Sequence, residues 1–224
     1  MFIINWEISN MAKYISTLQL KGGVGKSTII INLCGYLVSK GFKVLTVDAD
    51  MQQGTLTAWS AMFQQNNDVP NYEHASAYNM QEMLEILEQA ESEFDFILTD
   101  PPPRIAEIMK ALVLVSDLVL VPLNVTSPEI WATQDTKELL KSAFEEKPDL
   151  NVRLVFNKIK DKSSTYKTRN IVIEQLGIPY ISQSLFEYET YATIVGKGTH
   201  VTNYHVKRPK EQFTAFAEEV LKAI

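Results

Sequence analysis

Apolar residues along this chain fall into two alternating rhythms. Short, nearly continuous apolar runs occur at residues 14–20 (YISTLQL), 43–50 (KVLTVDAD), 94–100 (FDFILTD), 117–123 (DLVLVPL), 151–158 (NVRLVFNK) and 178–183 (IPYISQ). Runs of this length, bounded by glycine, proline or polar clusters, predict strands buried on both faces. Between them the apolar positions spread to every third or fourth residue, which predicts helices. After Lys26, the residues Ile30, Leu33, Cys34, Leu37 and Val38 share one face, and Gly41 is placed to end that helix. Further helices are expected around 56–63, over 80–93, over 105–115, from Ser127 to about Glu146, over 168–176 ahead of Gly177, and over 209–224. Ser127-Pro128-Glu129 supplies an N-cap, a first-turn proline and an early acid. The prolines at 101–103 halt the strand before them. Strands alternating with helices of ten or more residues imply an α/β fold, a mostly parallel sheet covered on both faces.

With 224 residues, 46% hydrophobic and 21% charged, the chain has the length and composition of one well-buried domain. No apolar run approaches the roughly 20 residues of a membrane span. The start, MFIINWEISN, lacks the basic stretch and long apolar core of a secretion signal, so a cytoplasmic protein is expected. Met11-Ala12-Lys13 reads as a natural start. Residues 1–10 are therefore an N-terminal extension, a mis-assigned start or a short first helix, and residues 11–224 are the single domain. Cys34 is the one cysteine, which rules out an intrachain disulfide, and His74, His200 and His205 have no metal-ligand spacing. Charge is unevenly shared: residues 1–150 carry 10 basic and 20 acidic side chains, residues 151–224 carry 11 and 7. A basic C-terminal third inside an acidic protein suits a face for polyanions.

The candidate chemistry begins in LQLKGGVGKSTI, residues 18–29, where a predicted strand runs into a predicted helix. Gly22, Gly23 and Gly25, with Val24 between them, allow backbone N–H groups to wrap a phosphate at a helix N-terminus. Lys26 supplies charge to the β- and γ-phosphates and Ser27 offers a hydroxyl to Mg²⁺, with Thr28 following. The general G-x-x-x-x-G-K-[ST] pattern is only partly met, because Leu20 stands where its first glycine belongs. A second lysine, Lys21, is beyond what one phosphate loop requires.

KGGVGKST resembles the deviant Walker A loop of the ParA/MinD family of ATPases, whose signature lysine corresponds to Lys21. The resemblance implies a three-layer P-loop NTPase that sandwiches two ATP molecules between two subunits, with Lys21 reaching the partner's phosphates. VDADMQQG resembles the family's D-x-D-P-Q segment, which makes Asp48 and Asp50 its acids and Asp50 the residue that positions the attacking water. Met51 replaces the usual proline. FILTDPPP resembles the Walker B segment, so that Asp100, with Ser27 and Asp48, would serve Mg²⁺, partly through water. The triple proline and Arg104 depart from the family pattern. Asn157-Lys158 follows a strand where relatives place an adenine-reading asparagine, and an ordinary strand-end turn is the equal alternative. The match covers nearly the whole chain from Met11 and is most specific over 21–54 and 94–103.

Among members of that family, small ParA-type partition ATPases lack an N-terminal DNA-reading domain, as this chain does. They bind DNA without reading sequence in the ATP state, and a ParB-like activator or adaptor stimulates hydrolysis. The resemblance thus implies ATP and Mg²⁺, a homodimer, association with the nucleoid and slow turnover alone. DNA candidates are Lys158, Lys160, Lys162, Lys167 and Arg169, then Lys197, Lys207, Arg208 and Lys210. Glu187-Tyr188-Glu189 stands where the family often has a basic residue. MinD-like relatives use a basic C-terminal helix on membranes, but here Glu211, Glu218 and Glu219 make the polar face acidic. Such a face is repelled by anionic lipid, so no membrane partner is expected and the helix should pack on the sheet. The alternatives are a relative that positions a protein organelle and a small-molecule ATP-dependent enzyme on the same scaffold. No second catalytic cluster supports the latter.

Overall fold

The computed structural model describes residues 11–103, 106–125, 127–160 and 162–224. The expectations for residues 1–10, Arg104 and Ile105 lie outside the described residues. Six strands, β1 (Lys13–Thr17), β2 (Val44–Asp48), β3 (Tyr72–Ser76), β4 (Phe96–Asp100), β5 (Leu118–Leu123) and β6 (Val152–Phe156), form one sheet in the order β3-β2-β4-β1-β5-β6. Every pairing is parallel. The helices are α1 (Lys26–Ser39), α2 (Thr55–Asn66), α3 (Met80–Ala90), α4 (Ala106–Val115), α5 (Ser127–Glu146), α6 (Ser163–Leu176), α7 (Glu189–Val195) and α8 (Lys207–Lys222).

Alternation along each strand divides the core into two layers. Leu118 and Leu120 of β5 join Phe96 and Leu98 of β4 in a cluster with α1, α2 and α8. Val119, Val121 and Leu123 turn to the other face, where they meet Met109 and Val113 of α4 and Leu140 of α5. On that face, nearer β2, Met83 and Leu87 of α3 close over Leu45, Val47 and Ile97. Phe213, Phe216, Ala217, Val220 and Leu221 of α8 are buried in the first cluster, so its apolar face lies on the core as expected. No helix of the described residues is long and apolar enough to cross a membrane.

Four elements differ from the sequence expectation, one of them the short helix α7, which was not expected. The strand β3 was not anticipated because YEHAS carries only three buried or half-buried positions of hydrophobic or aromatic type, as suits the sheet's edge. The strand expected over 178–183 does not form. That segment runs beside β6 and makes one isolated bridge, Leu154 to Tyr180. Pro179 has no N–H to give, and the N–H groups of Ser182 and Gln183 donate instead to the Glu219 carboxylate of α8. Finally, α6 starts at Ser163, five residues ahead of the expected 168, because its first turn is polar and gives no apolar period.

One buried titratable group anchors the C-terminal layer. His200 is 4% exposed, edge-on to Phe63, and so close to α1 that a Cβ at Gly35 would lie 2.2 Å from its ring. Burial, with Lys210 adding to it, lowers its pKa from 6.5 to about 4. The unfolded chain therefore takes up a proton below about pH 6.5 that the folded chain refuses until about pH 4. Stability from this residue is intact above the first value and declines through the window, by about 3 kcal/mol in total. Urea midpoints at pH 7 and pH 4.5 should differ less in His200→Gln than in the parent. An equal difference in the two proteins would mean that His200 is not held neutral.

Candidate functional site

Because β2, β4 and β1 are adjacent and parallel, the loops after them meet on one rim of the sheet, where open α/β sheets hold ligands. The register places Asp48 beside Asp100, and the Ala49 N–H donates to the Asp100 carbonyl at 3.0 Å. Residues from the three segments singled out in the sequence are thereby brought together.

The loop from Lys21 to Gly25 is shaped by two left-handed glycines, Gly23 (φ 77°) and Gly25 (φ 98°). Gly25 begins α1, which has no side-chain cap and no acid in its first turn. Its leading N–H groups are left for an anion, and the helix dipole favours one. A Cβ on Gly25 would come within 2.2 Å of Asn157 Nδ2, so this position needs glycine for close approach as well as for φ. Val24 is buried, whereas Gly22 and Gly23 are exposed with open space where side chains would stand. Lys21 is half-exposed on this loop, and its N–H donates to Gln19 Oε1 at 3.4 Å.

Lys26 is 7% exposed, and its amine lies in the field of Asp100 and Asp50. Burial lowers its pKa against the pull of those two carboxylates. Burial pushes the Asp100 carboxyl up to about 7, although a hydrogen bond from Ser27 and the charge of Lys26 oppose the rise. Asp100 Oδ1 is buried without a hydrogen-bond partner. An orphaned carboxylate oxygen beside a serine hydroxyl is an oxygen donor set of the hard kind that Mg²⁺ takes. These residues fit the ion, which Ser27 and Asp100 would hold.

Asp48 is fully buried and both its oxygens are engaged: Oδ1 accepts the Asp50 N–H at 2.9 Å, and Oδ2 accepts the Thr57 N–H and hydroxyl, each at 2.9 Å. Its hydrogen bonds therefore tie the D-x-D turn to α2. Asp50 is 7% exposed at the rim, and burial raises its pKa despite a backbone hydrogen bond from Gln53 and the charge of Lys26. Thr57 gave no motif in the sequence; it is a polar residue at the start of a half-apolar helix.

Next to the loop lies a cleft of ≈ 780 Å³ lined by Thr28, Asn157, Lys158, Phe186, Tyr188 and Tyr191, among others. Asn157, 6% exposed, donates from Nδ2 to the Val24 carbonyl at 2.7 Å. Lys158 donates from Nζ to the Gly23 carbonyl at 2.6 Å and adopts φ 52°, a left-handed conformation uncommon for a side-chain-bearing residue. The two residues brace consecutive carbonyls of the phosphate loop. Lys158, a DNA candidate in the sequence, thus directs its amine at the phosphate loop. Lys158→Met should weaken ATP binding by about tenfold, the loss of one charge-assisted hydrogen bond. Titration with a fluorescent ATP analogue checks this, and unchanged affinity would remove Lys158 from the site. The Glu187-Tyr188-Glu189 stretch also lines this cleft.

The remaining basic candidates sit elsewhere. Lys160 is exposed and pairs with Glu187 at 3.8 Å. Lys197 donates to the Tyr204 hydroxyl at 3.0 Å, and Lys207 pairs with Glu211 at 3.7 Å. Lys207, Arg208 and Lys210 open α8, whose first turn contains no acid. Cations there oppose the helix dipole.

Comparison with known proteins places the chain in a family. The family model for the VirC1 protein matches residues 12–215. The maintenance of carboxysome distribution protein A of Halothiobacillus neapolitanus is 30% identical over 194 residues, 86% of this chain and 88% of that protein. Among solved structures, the McdA–ATP complex of Cyanothece superposes with a TM-score of 0.72 at 18% identity, covering 93% of this chain and 96% of that one. The cell division protein MinD of Aquifex aeolicus does so at 0.76 and 18%, covering 94% and 98%. The chain belongs to the VirC1 family of ParA/MinD-type P-loop ATPases.

Proposed function

We propose that this protein is an ATPase that dimerises around ATP, binds DNA without reading its sequence in that state, and segregates or positions a plasmid or chromosomal cargo. A ParB-like activator or adaptor completes the cycle by stimulating hydrolysis. The observation that carries this reading is the convergence of Lys21, the Gly22–Gly25 loop, Lys26, Asp50 and Asp100 on one rim. The N–H groups of α1 and Lys26 hold the triphosphate, and Asp50 orients the attacking water. Mg²⁺ at Ser27 and Asp100 supplies charge that offsets the phosphates. Lys21, on the outer part of the loop, serves the nucleotide of the other subunit. The basic first turn of α8, held against the helix dipole, supports a polyanion partner for Lys207, Arg208 and Lys210, with Lys160 and Lys197 as further contacts.

A second reading, positioning of a protein organelle, is favoured by one observation, the 30% identity to a carboxysome distribution protein. Both readings use the same cycle and differ in the cargo. The test is retention on random-sequence DNA at low and moderate salt with ATP, ADP or no nucleotide. Retention only with ATP, falling steeply with salt, is the expected result. Equal retention with ADP would exclude ATP-dependent DNA binding, and no retention at low salt would exclude DNA binding altogether.

A further inference from the structure

In the sequence His74 shows no metal-ligand spacing, yet it occupies the middle of a hydrogen-bonded chain that ends at the D-x-D turn. Its Nδ1 is 2.9 Å from Thr46 Oγ1 and its Nε2 is 3.1 Å from Thr57 Oγ1. Thr46 Oγ1 is 2.8 Å from the Tyr72 hydroxyl. The direction of each bond follows from the far end. Thr57 donates its one hydroxyl hydrogen to Asp48 Oδ2, so toward His74 it has only lone pairs to offer. Nε2 must then carry the ring hydrogen. In a neutral imidazole Nδ1 is left as an acceptor, which takes the Thr46 hydroxyl hydrogen, and Thr46 in turn accepts from Tyr72. Burial lowers the pKa of His74 from 6.5, although Asp48 opposes this, and burial pushes that of Tyr72 far up. Both groups therefore hold the protonation that the chain requires. Ser76 Oγ, 3.2 Å from Thr57 Oγ1, can add a second hydrogen bond to the same threonine.

We propose that His74 is a positioning residue for ATP hydrolysis: from the edge strand β3 it fixes the Thr57 hydroxyl, which fixes Asp48, which holds the turn bearing Asp50. The inference rests on the reading of Asp50 given above. Its geometric basis is that Asp48 uses one oxygen for the Asp50 N–H and the other for Thr57, while the turn closes through the N–H groups of Gln53 and Gly54 on the Asp50 carbonyl. Without the Thr57 hydroxyl, Asp48 Oδ2 keeps only the Thr57 N–H, so the carboxylate is held less tightly and Asp50 is placed less sharply. None of these hydrogen bonds reaches the phosphate loop, so nucleotide affinity should not depend on them.

The experiment compares steady-state ATP hydrolysis, nucleotide binding and thermal melting of the full chain with those of Asp50→Ala, His74→Phe, His74→Gln, Thr57→Val and Thr57→Ser. The parent hydrolysing while Asp50→Ala does not establishes the reading on which the inference depends. His74→Phe should then lower kcat about 10- to 100-fold with KM within about twofold, since a displaced catalytic group costs rate more than binding. His74→Gln should recover most of the loss, because its amide nitrogen can donate from nearly the same place as Nε2. Thr57→Ser should likewise behave as the parent, and Thr57→Val as His74→Phe. Combining His74→Phe with Thr57→Val should lower kcat no further than the worse single variant, as expected for members of one chain. The proposal is overturned if kcat stays within twofold in His74→Phe, if His74→Gln loses as much as His74→Phe, or if KM rises in step with the loss. Should His74→Phe not fold, the Thr57→Val and Thr57→Ser pair decides by the same criteria.

Discussion

Asp50→Ala will bind ATP as the parent does and lose 10²- to 10⁴-fold in turnover, the range attributable to a positioned acid or base. The side chain sits at the rim near Lys26, and the same burial that raises its pKa makes it a better proton acceptor than a solvated carboxylate. Its removal leaves the turn intact, because the turn is held by Asp50's backbone: the N–H on Asp48 and the carbonyl accepting from Gln53 and Gly54. Phosphate release measured with saturating Mg²⁺ and ATP tests the prediction. Turnover within a few-fold of the parent would take Asp50 out of the reaction. The variant also has a use: it should hold ATP long enough for the bound state to be weighed.

Lys21→Ala will bind nucleotide as a monomer with affinity within about threefold of the parent and will fail to dimerise with ATP. On the proposed reading, Lys26, Ser27 and the N–H groups of α1 would meet the phosphates of their own subunit, and none of these contacts would need Lys21. The lysine stands half-exposed on the outer part of the loop, where a second copy can bring it to another triphosphate. A cation delivered into a water-poor interface in this way stabilises charge as an arginine finger does, and such groups are worth roughly 10³–10⁵ in rate. Hydrolysis should therefore fall together with dimerisation. Fluorescent-nucleotide titration gives the first quantity and phosphate release the second. A mutant with parental turnover and no dimer would break the link between them.

The central sheet was legible because β1, β2, β4, β5 and β6 are buried on both faces and so read as apolar runs, and because the phosphate loop has a local pattern. The edge escaped for the converse reason: Tyr72 is the one buried residue of β3, and the strand's polar residues serve a network that only the tertiary structure assembles. Tyr72, Thr46, His74 and Thr57 come from three elements, and no spacing in the sequence connects them. The hydrogen bond from Lys158 to Gly23 was not legible because a lysine after a strand looks the same whether its amine points to solvent or folds back on the loop. The segment over 178–183 was misread because its apolar content implied a strand, while the N–H groups that would have extended the ladder go to Glu219, 36 residues and more away. In both cases the local signal was real and a long-range polar partner decided the outcome.

The most direct test is the mass of the Asp50→Ala protein in solution, by light scattering, with Mg²⁺ and saturating ATP. The account predicts a doubling with ATP, none with ADP, and a return to the single mass when Lys21→Ala is added. A single mass with ATP, or a doubling that survives the loss of Lys21, would contradict it.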